Sequence, residues 1–355
     1  MIRIDTEKEG SITYNEIRTN ALKNFNKSCF VCKVCDGKEC KGQVPGMGGI
    51  GSASSFTNNL KALGRYQIIP QYLHDITEPH MKLQLFGCNL SFPLLISPIT
   101  GTETNMGGGL SEIDFARAVT KGAQLAGTIS MVGDGASNDK YLDGIQALRE
   151  VGGRGIPIFK PRKNQQEIIK RIKAAEEVGA IAVGIDVDAA VFTTMSLKNV
   201  DVEAKSIYKI KELVKSTHLP FIIKGIMSKI DALRALDTGA KAIIVSNHGG
   251  RVMDSMAGSV DILPEIVDAV KKEVLIIVDG GFRNGLDMFK GIALGANVVS
   301  IGRPAAIGAY GGREQGVKFI LDMFKEELRN TMILTGSSSL SECHKGNLRF
   351  RSHDI

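Results

Sequence analysis

The chain has 355 residues, 43% hydrophobic and 23% charged, with 44 Lys and Arg against 38 Asp and Glu. That is the make-up of a folded globular protein and excludes a disordered or fibrous chain; a net charge of +6 scattered along the sequence supplies no basic block for nucleic acid. No apolar run of about 18 or more residues is present to span a membrane, and the charged start MIRIDTEKEGS does not read as a signal peptide, so the chain is expected in the cytoplasm without nucleic-acid or membrane partners.

Residues 1–92 form an extension with two unusual stretches. Cys29, Cys32, Cys35 and Cys40 fall in a C-x₂-C-x₂-C-x₄-C pattern, whereas Cys88 and Cys343 stand alone. In a reducing compartment such a cluster points to an iron–sulfur cluster or zinc, with two local disulfides or free thiols as the alternative. Close behind follows glycine-rich GQVPGMGGIGSAS (42–54), a loop able to approach a ligand or simply to link.

From residue 93 one unit recurs: a short apolar, β-branched run, a Gly- or Asp-bearing turn, then an amphipathic helical stretch. Eight runs are predicted as strands, at 93–99, 127–132, 156–160, 180–186, 220–225, 242–247, 275–280 and 298–303. They show little polar alternation, as befits parallel strands buried on both faces. Eight such units predict an α/β chain closed into a (β/α)₈ TIM barrel over 93–340, preceded by the Cys- and Gly-rich extension and followed by a tail over 341–355. The competing architecture, an open doubly wound sheet, would put G-x-G-x-x-G in the first βα unit, and none is there.

Barrel active sites lie at the C-terminal ends of the strands. Here those ends carry Asp186, Lys224, Ser246-Asn247-His248-Gly249-Gly250-Arg251, Asp279-Gly280-Gly281 and Gly302-Arg303. Singly, a Lys could reach solvent and an Asp could cap a helix; together they direct charge at one mouth. His248 with Arg251 three residues on fits a base beside a carboxylate-binding guanidinium. DGGFR (279–283) and IGRP (301–304) suit a phosphate, whether of cofactor or substrate.

SNHGGR, VDGGFRNGLDMFKGIALGA and SIGRP, taken together, resemble the FMN-dependent 2-hydroxy acid oxidase and dehydrogenase family, which includes glycolate oxidase, lactate oxidase and flavocytochrome b2. The likeness runs from SFTNNLKALGRYQIIPQYL at residue 55 to TMILTGSSSLSE. It implies FMN-dependent oxidation of a small 2-hydroxy acid to the 2-oxo acid, with electrons passing to oxygen or to another, unknown acceptor, in a homo-oligomer such as a tetramer or octamer. Catalysis would fall to His248 as base, Asp186 as stabiliser of its imidazolium, Lys224 at the flavin N1–C2=O edge and Arg251 on the substrate carboxylate. The resemblance places the cofactor against Ser97, Thr100, Lys160, Lys224, Ser246, Asp279, Gly281, Arg283, Gly302 and Arg303, and the substrate against His248, Arg251 and Arg162.

Several positions depart from the family pattern. Pro45 stands where a substrate-binding Tyr is usual, Lys160 and Arg162 replace a Gln and a Tyr after strand 3, and the segment after Asp186 is short, implying a differently covered pocket. The cysteine cluster is foreign to the family and is expected to relay electrons to an acceptor other than oxygen. Two other functions compete with oxidation. One is an FMN-dependent isomerase of a phosphorylated substrate, against which the His248–Arg251 pair argues; the other is a flavin and iron–sulfur electron carrier.

Overall fold

The computed structural model describes residues 12–352, so the charged start lies outside the described residues. After a helix Tyr14–Asn24 and a helix Ser54–Gly64 come three short strands, β1 (Tyr66–Ile68), β2 (Leu83–Leu85) and β3 (Cys88–Leu90). Eight parallel strands follow: β4 (Leu94–Ile99), β5 (Ile129–Gly133), β6 (Gly155–Phe159), β7 (Val183–Asp186), β8 (Phe221–Ile226), β9 (Ala242–Val245), β10 (Leu275–Val278) and β11 (Val298–Ile301). They close in sequence order, with β11 returning to β4, into one barrel. All eight runs predicted from the sequence contain strands; the last three end earlier than expected, where polar residues turn out of the ladder at the mouth, and the bounds of the others shift by one to three residues.

Burial on both faces explains the unbroken apolar runs: every residue of β7, β9 and β11 is buried. Leu95, Met131, Ile158, Ile222, Ile244 and Ile277 fill the barrel, and the β2–β3 hairpin joins that cluster through Leu85, Cys88 and Leu90, plugging one end. The helices pack outside on a second, larger core. Ser111, Ser206, Ser228 and Asn284 start their helices by accepting from the backbone N–H three residues on. Gly179, Gly239 and Gly295 end helices at φ of +72°, +86° and +108°, a conformation that costs glycine little.

The extension and the tail are woven together: β1 pairs antiparallel with β12 (Leu348–Phe350). Phe25, just after the first helix, stacks on Tyr310 of the helical stretch Arg303–Leu334, which kinks at Gly312 and Arg313, with ring centroids 4.2 Å apart. Among the described residues no helix is long and apolar enough to cross a membrane.

Candidate active site

The C-terminal ends of the strands open into a cavity of about 1150 Å³ that is continuous with solvent. Ser97, Thr100, Lys160, Asp186, Lys224, His248, Arg251, Asp279, Gly281, Arg283, Gly302 and Arg303 all line it. Two residues expected there do not. Ser246 is fully buried behind His248, accepting its backbone N–H at 3.1 Å. Arg162 points away from the cavity: its guanidinium donates to Asp134 Oδ1 at 3.2 Å and Oδ2 at 3.3 Å, so that two buried charges compensate each other and the side chain serves as a brace.

His248 sits at φ +57°, left-handed for a residue with a side chain, and its neighbours Gly249 and Gly250 continue the turn at +64° and +76°. Such strain persists only where surrounding contacts fix it, and it recurs at functional sites. Gly250 is needed for packing as well, because a Cβ would come within 2.4 Å of Phe56 N. Imidazole Nδ1 lies 3.0 Å from Asp188 Oδ1 and 3.6 Å from Asp186 Oδ2. Asp186, expected to stabilise the imidazolium by charge and hydrogen bonding, lies within ion-pair distance, but the hydrogen bond goes to Asp188, which a 3-10 turn after β7, Val187–Val191, brings to the ring. Asp186 is instead engaged by Lys160 Nζ at 2.6 Å and Lys224 Nζ at 2.9 Å.

The electrostatics follow from this arrangement. Burial resists ionisation of Asp186, but His248, Lys160 and Lys224 outweigh it and hold the carboxylate well below its usual range. Burial and the adjacent Asp186 charge push Asp188 well above its own. Lys224 also stays charged against burial, because Asp186, Asp188 and Asp279 surround it. For His248, burial is the largest influence and it favours the neutral ring. Asp186 opposes it, while Lys224, Lys160 and Arg251 add to it, so the imidazole is held well below its ordinary pKa and can accept a proton. Asp186, Asp188 and His248 place ligand-type atoms within 4.8 Å of one another, but with two ammonium groups on Asp186 they form an ion-pair network.

Arg251 donates to the Gly46 carbonyl and, through Nη2, to Asn105 Oδ1 at 3.0 Å. Burial and then Arg303 bring it down to about 9, so it remains a cation at neutral pH. Phe192, Thr194 and Met195, from the short segment after β7, form one wall. The missing long loop is thus replaced by a compact cover, with Phe192 tilted over the His248 ring at 4.9 Å.

The opposite end of the cavity suits a phosphate. Arg283 Nη2 is buried without a hydrogen-bond partner, a costly state for a guanidinium unless an anion meets it. Beside it the helix Arg303–Leu334 begins at Gly302 with no side chain capping its free N–H groups. Arg303 is already occupied: it donates to Met47 O, Gly48 O and Gly249 O at 2.8, 3.1 and 3.2 Å. These features fit a flavin nucleotide, with its phosphate at Arg283 and its ring toward His248 and Lys224.

The clustered cysteines lie outside the cavity lining and form no disulfide. Asp188 and Asn105 were not anticipated. Asp188 could have been suspected from its place two residues past Asp186, whereas nothing local marks Asn105.

A family model described as FMN-dependent dehydrogenase matches residues 46–205 and 194–350. The 2-hydroxyacid oxidase 2 of Bos taurus is 31% identical over 334 residues, 85% of this chain and 92% of that protein. The peroxisomal (S)-2-hydroxyacid oxidase GLO3 of Arabidopsis thaliana is 30% identical over 338 residues, 85% and 90% of the two chains. A mandelate oxidase structure with (S)-2-phenylpropionate superposes with a TM-score of 0.78 at 26% identity, covering 96% of this chain and 98% of that one.

Proposed function

Because the chain belongs to the FMN-dependent dehydrogenase family, we propose that His248 is the base that takes the proton as a 2-hydroxy acid is oxidised in this cavity. The chain is an FMN-dependent oxidoreductase acting on the CH–OH group of 2-hydroxy acids and yielding the 2-oxo acid. FMN, when bound, supplies the two-electron acceptor.

The observation that carries the assignment of His248 is its pairing through Nδ1 with Asp188 at 3.0 Å, which leaves Nε2 as the nitrogen available to substrate. A neutral imidazole takes the proton, the charge of Asp186 stabilises the imidazolium so formed, and Asp188 orients the ring. Arg251 holds the substrate carboxylate as a fork, its own orientation set by Gly46 and Asn105. With FMN bound, Lys224 would supply the positive charge facing the flavin ring. Asp279 and Gly281 serve the ribityl chain, while Arg283 and the N–H groups at Gly302–Arg303 hold the phosphate. Ser97 and Thr100 contribute polar groups to the flavin wall. Lys160 acts through Asp186, and it also packs over the Phe192 ring at 4.5 Å, which makes this side of the pocket more cationic.

The same reading includes a homo-oligomer, tetramer or octamer, in the cytoplasm, where six free cysteines are at home. The residues divide into an extension (1–92) with its cysteine loop, a barrel (93–340) and a tail (341–355) that pairs back onto the extension. The test is spectroscopic: the purified protein should be yellow with FMN, and glycolate, lactate or mandelate added without oxygen should bleach it. A protein that holds FMN but is bleached by no 2-hydroxy acid would refute the substrate class.

A further inference from the structure

Oxidation as described leaves the four-cysteine loop unused. Residues 25–53 contain no helix and no strand beyond an isolated bridge between Lys41 and Gly49. Loops longer than about 12–15 residues without secondary structure are uncommon in compact domains unless they carry function. Its cysteine-bearing part touches the rest of the fold at a few defined points. Arg18 donates to the Val31 carbonyl at 2.6 Å, Arg283 Nε donates to the Cys35 carbonyl at 3.3 Å, and Gly37 lies on the Phe56 ring, where a Cβ would come within 2.6 Å. Phe30 and Val34, between the cysteines, are 42% and 65% exposed, while all four thiols are half-buried. Val31 and Met47 anchor the segment in the main core and Cys29 packs against it, while the stretch that carries the remaining thiols lies at its edge.

The thiols share one neighbourhood. All four lie between residues 29 and 40 of one loop, and Arg283 Nε donates to the Cys35 carbonyl from the side of the cavity. None is in a disulfide. The spacing selects the metal. Consecutive C-x₂-C-x₂-C is the run that wraps an iron–sulfur cube, whereas structural zinc sites pair two short knuckles across a longer insert.

From this spacing, and from four half-buried thiols on a loop beside Arg283 and Phe56, we propose that Cys29, Cys32, Cys35 and Cys40 ligate an iron–sulfur cluster of the [4Fe–4S] type behind the phosphate end of the flavin cavity. Phe56 is the shared wall. Gly37 of the cysteine loop packs on its ring, while the Arg303 and Arg283 guanidiniums lie 3.9 and 5.7 Å from its centroid. Both arginines line the cavity, so a one-electron centre stands one layer of side chains from it. Its position relative to FMN rests on the reading above, but the metal site does not.

The test is metal, sulfide and FMN content, measured on one sample purified without oxygen. About four iron and four acid-labile sulfide per chain are expected, with a broad absorption beyond the flavin bands that dithionite bleaches. The Cys32→Ser/Cys35→Ser variant should lose the iron yet keep its FMN, and Cys343→Ser, a buried cysteine elsewhere in the chain, should keep both. Zinc alone, no metal, or full iron in the double variant would overturn the proposal. FMN content in the same sample separates that failure from a failure of the flavin reading.

Discussion

His248 Nδ1 meets Asp188 at 3.0 Å, while Asp186, 3.6 Å away, is held by two lysines. Two carboxylates separated by one residue thus do different work. Asp186 neutralises a buried pair of ammonium groups, and Asp188 orients the ring that handles the proton. One charge network sets the resting protonation of the whole site.

Removing each carboxylate should therefore have different consequences. Asp186→Asn leaves Lys160 and Lys224 facing each other in the interior, and breaking a buried pair costs about 3–5 kcal/mol; a large fall in Tm and weak flavin retention are expected. Asp188→Asn keeps the fold and the flavin but slows flavin reduction by about 10–100-fold, in the range for general-base effects. Thermal melts beside rapid-mixing flavin reduction would distinguish the two, and the reverse pattern would exchange their roles.

The pH profile follows from the lowered pKa of His248, caused first by burial and then, against Asp186, by Lys224, Lys160 and Arg251. Protonation before substrate arrives disables the base, so kcat/KM should fall only as pH drops below the ordinary histidine value of about 6.5. Stability shifts in the same direction. The folded ring binds its proton less readily than the unfolded one, so between the two pKa values the unfolded chain carries more protons and stability rises with pH. An acid limb centred at or above neutral pH would contradict a base of this kind.

Arg251 should act chiefly on binding. Arg251→Ala is expected to lower kcat/KM by about a hundredfold, roughly 2.7 kcal/mol at 1.36 kcal/mol per decade, mainly through KM. Arg251→Lys should recover little, because a point charge cannot reproduce the fork held by Gly46 and Asn105. Arg162→Ala, by contrast, should leave KM unchanged in the folded protein while lowering Tm, since it strips a buried partner from Asp134. Steady-state kinetics on the two variants provide the comparison.

At the phosphate end, Arg283→Ala should weaken FMN binding by about tenfold to a hundredfold, the worth of one or two hydrogen bonds to a charged group at 1.5–3 kcal/mol. Excess FMN should then restore activity. Fluorescence titration of the flavin-free protein measures the change, and unaltered affinity would show that Arg283 Nη2, unpartnered in the structure, does not serve the phosphate.

Much of this was legible because parallel barrel strands are buried on both faces and write themselves as apolar runs, and because polar residues ending such runs can point only at the mouth. The sequence does not reveal how those polar residues pair. Asp188 reaches His248 only through the 3-10 turn that follows β7. Asn105 meets Arg251 from 146 positions away. Arg162 looked like a substrate ligand until Asp134, 28 residues earlier in the chain, claimed its guanidinium. Ser246, expected against the flavin, is buried behind His248, where its hydroxyl accepts the His248 backbone N–H.

The most direct measurement is anaerobic flavin bleaching in wild type and in His248→Ala, each loaded with FMN and mixed with the same 2-hydroxy acid. Wild type should bleach rapidly, and the variant should keep its flavin while its rate falls by at least a hundredfold, as expected on losing a general base worth about 10²–10⁴. A His248→Ala protein that bleaches at the wild-type rate would remove His248 from the chemistry.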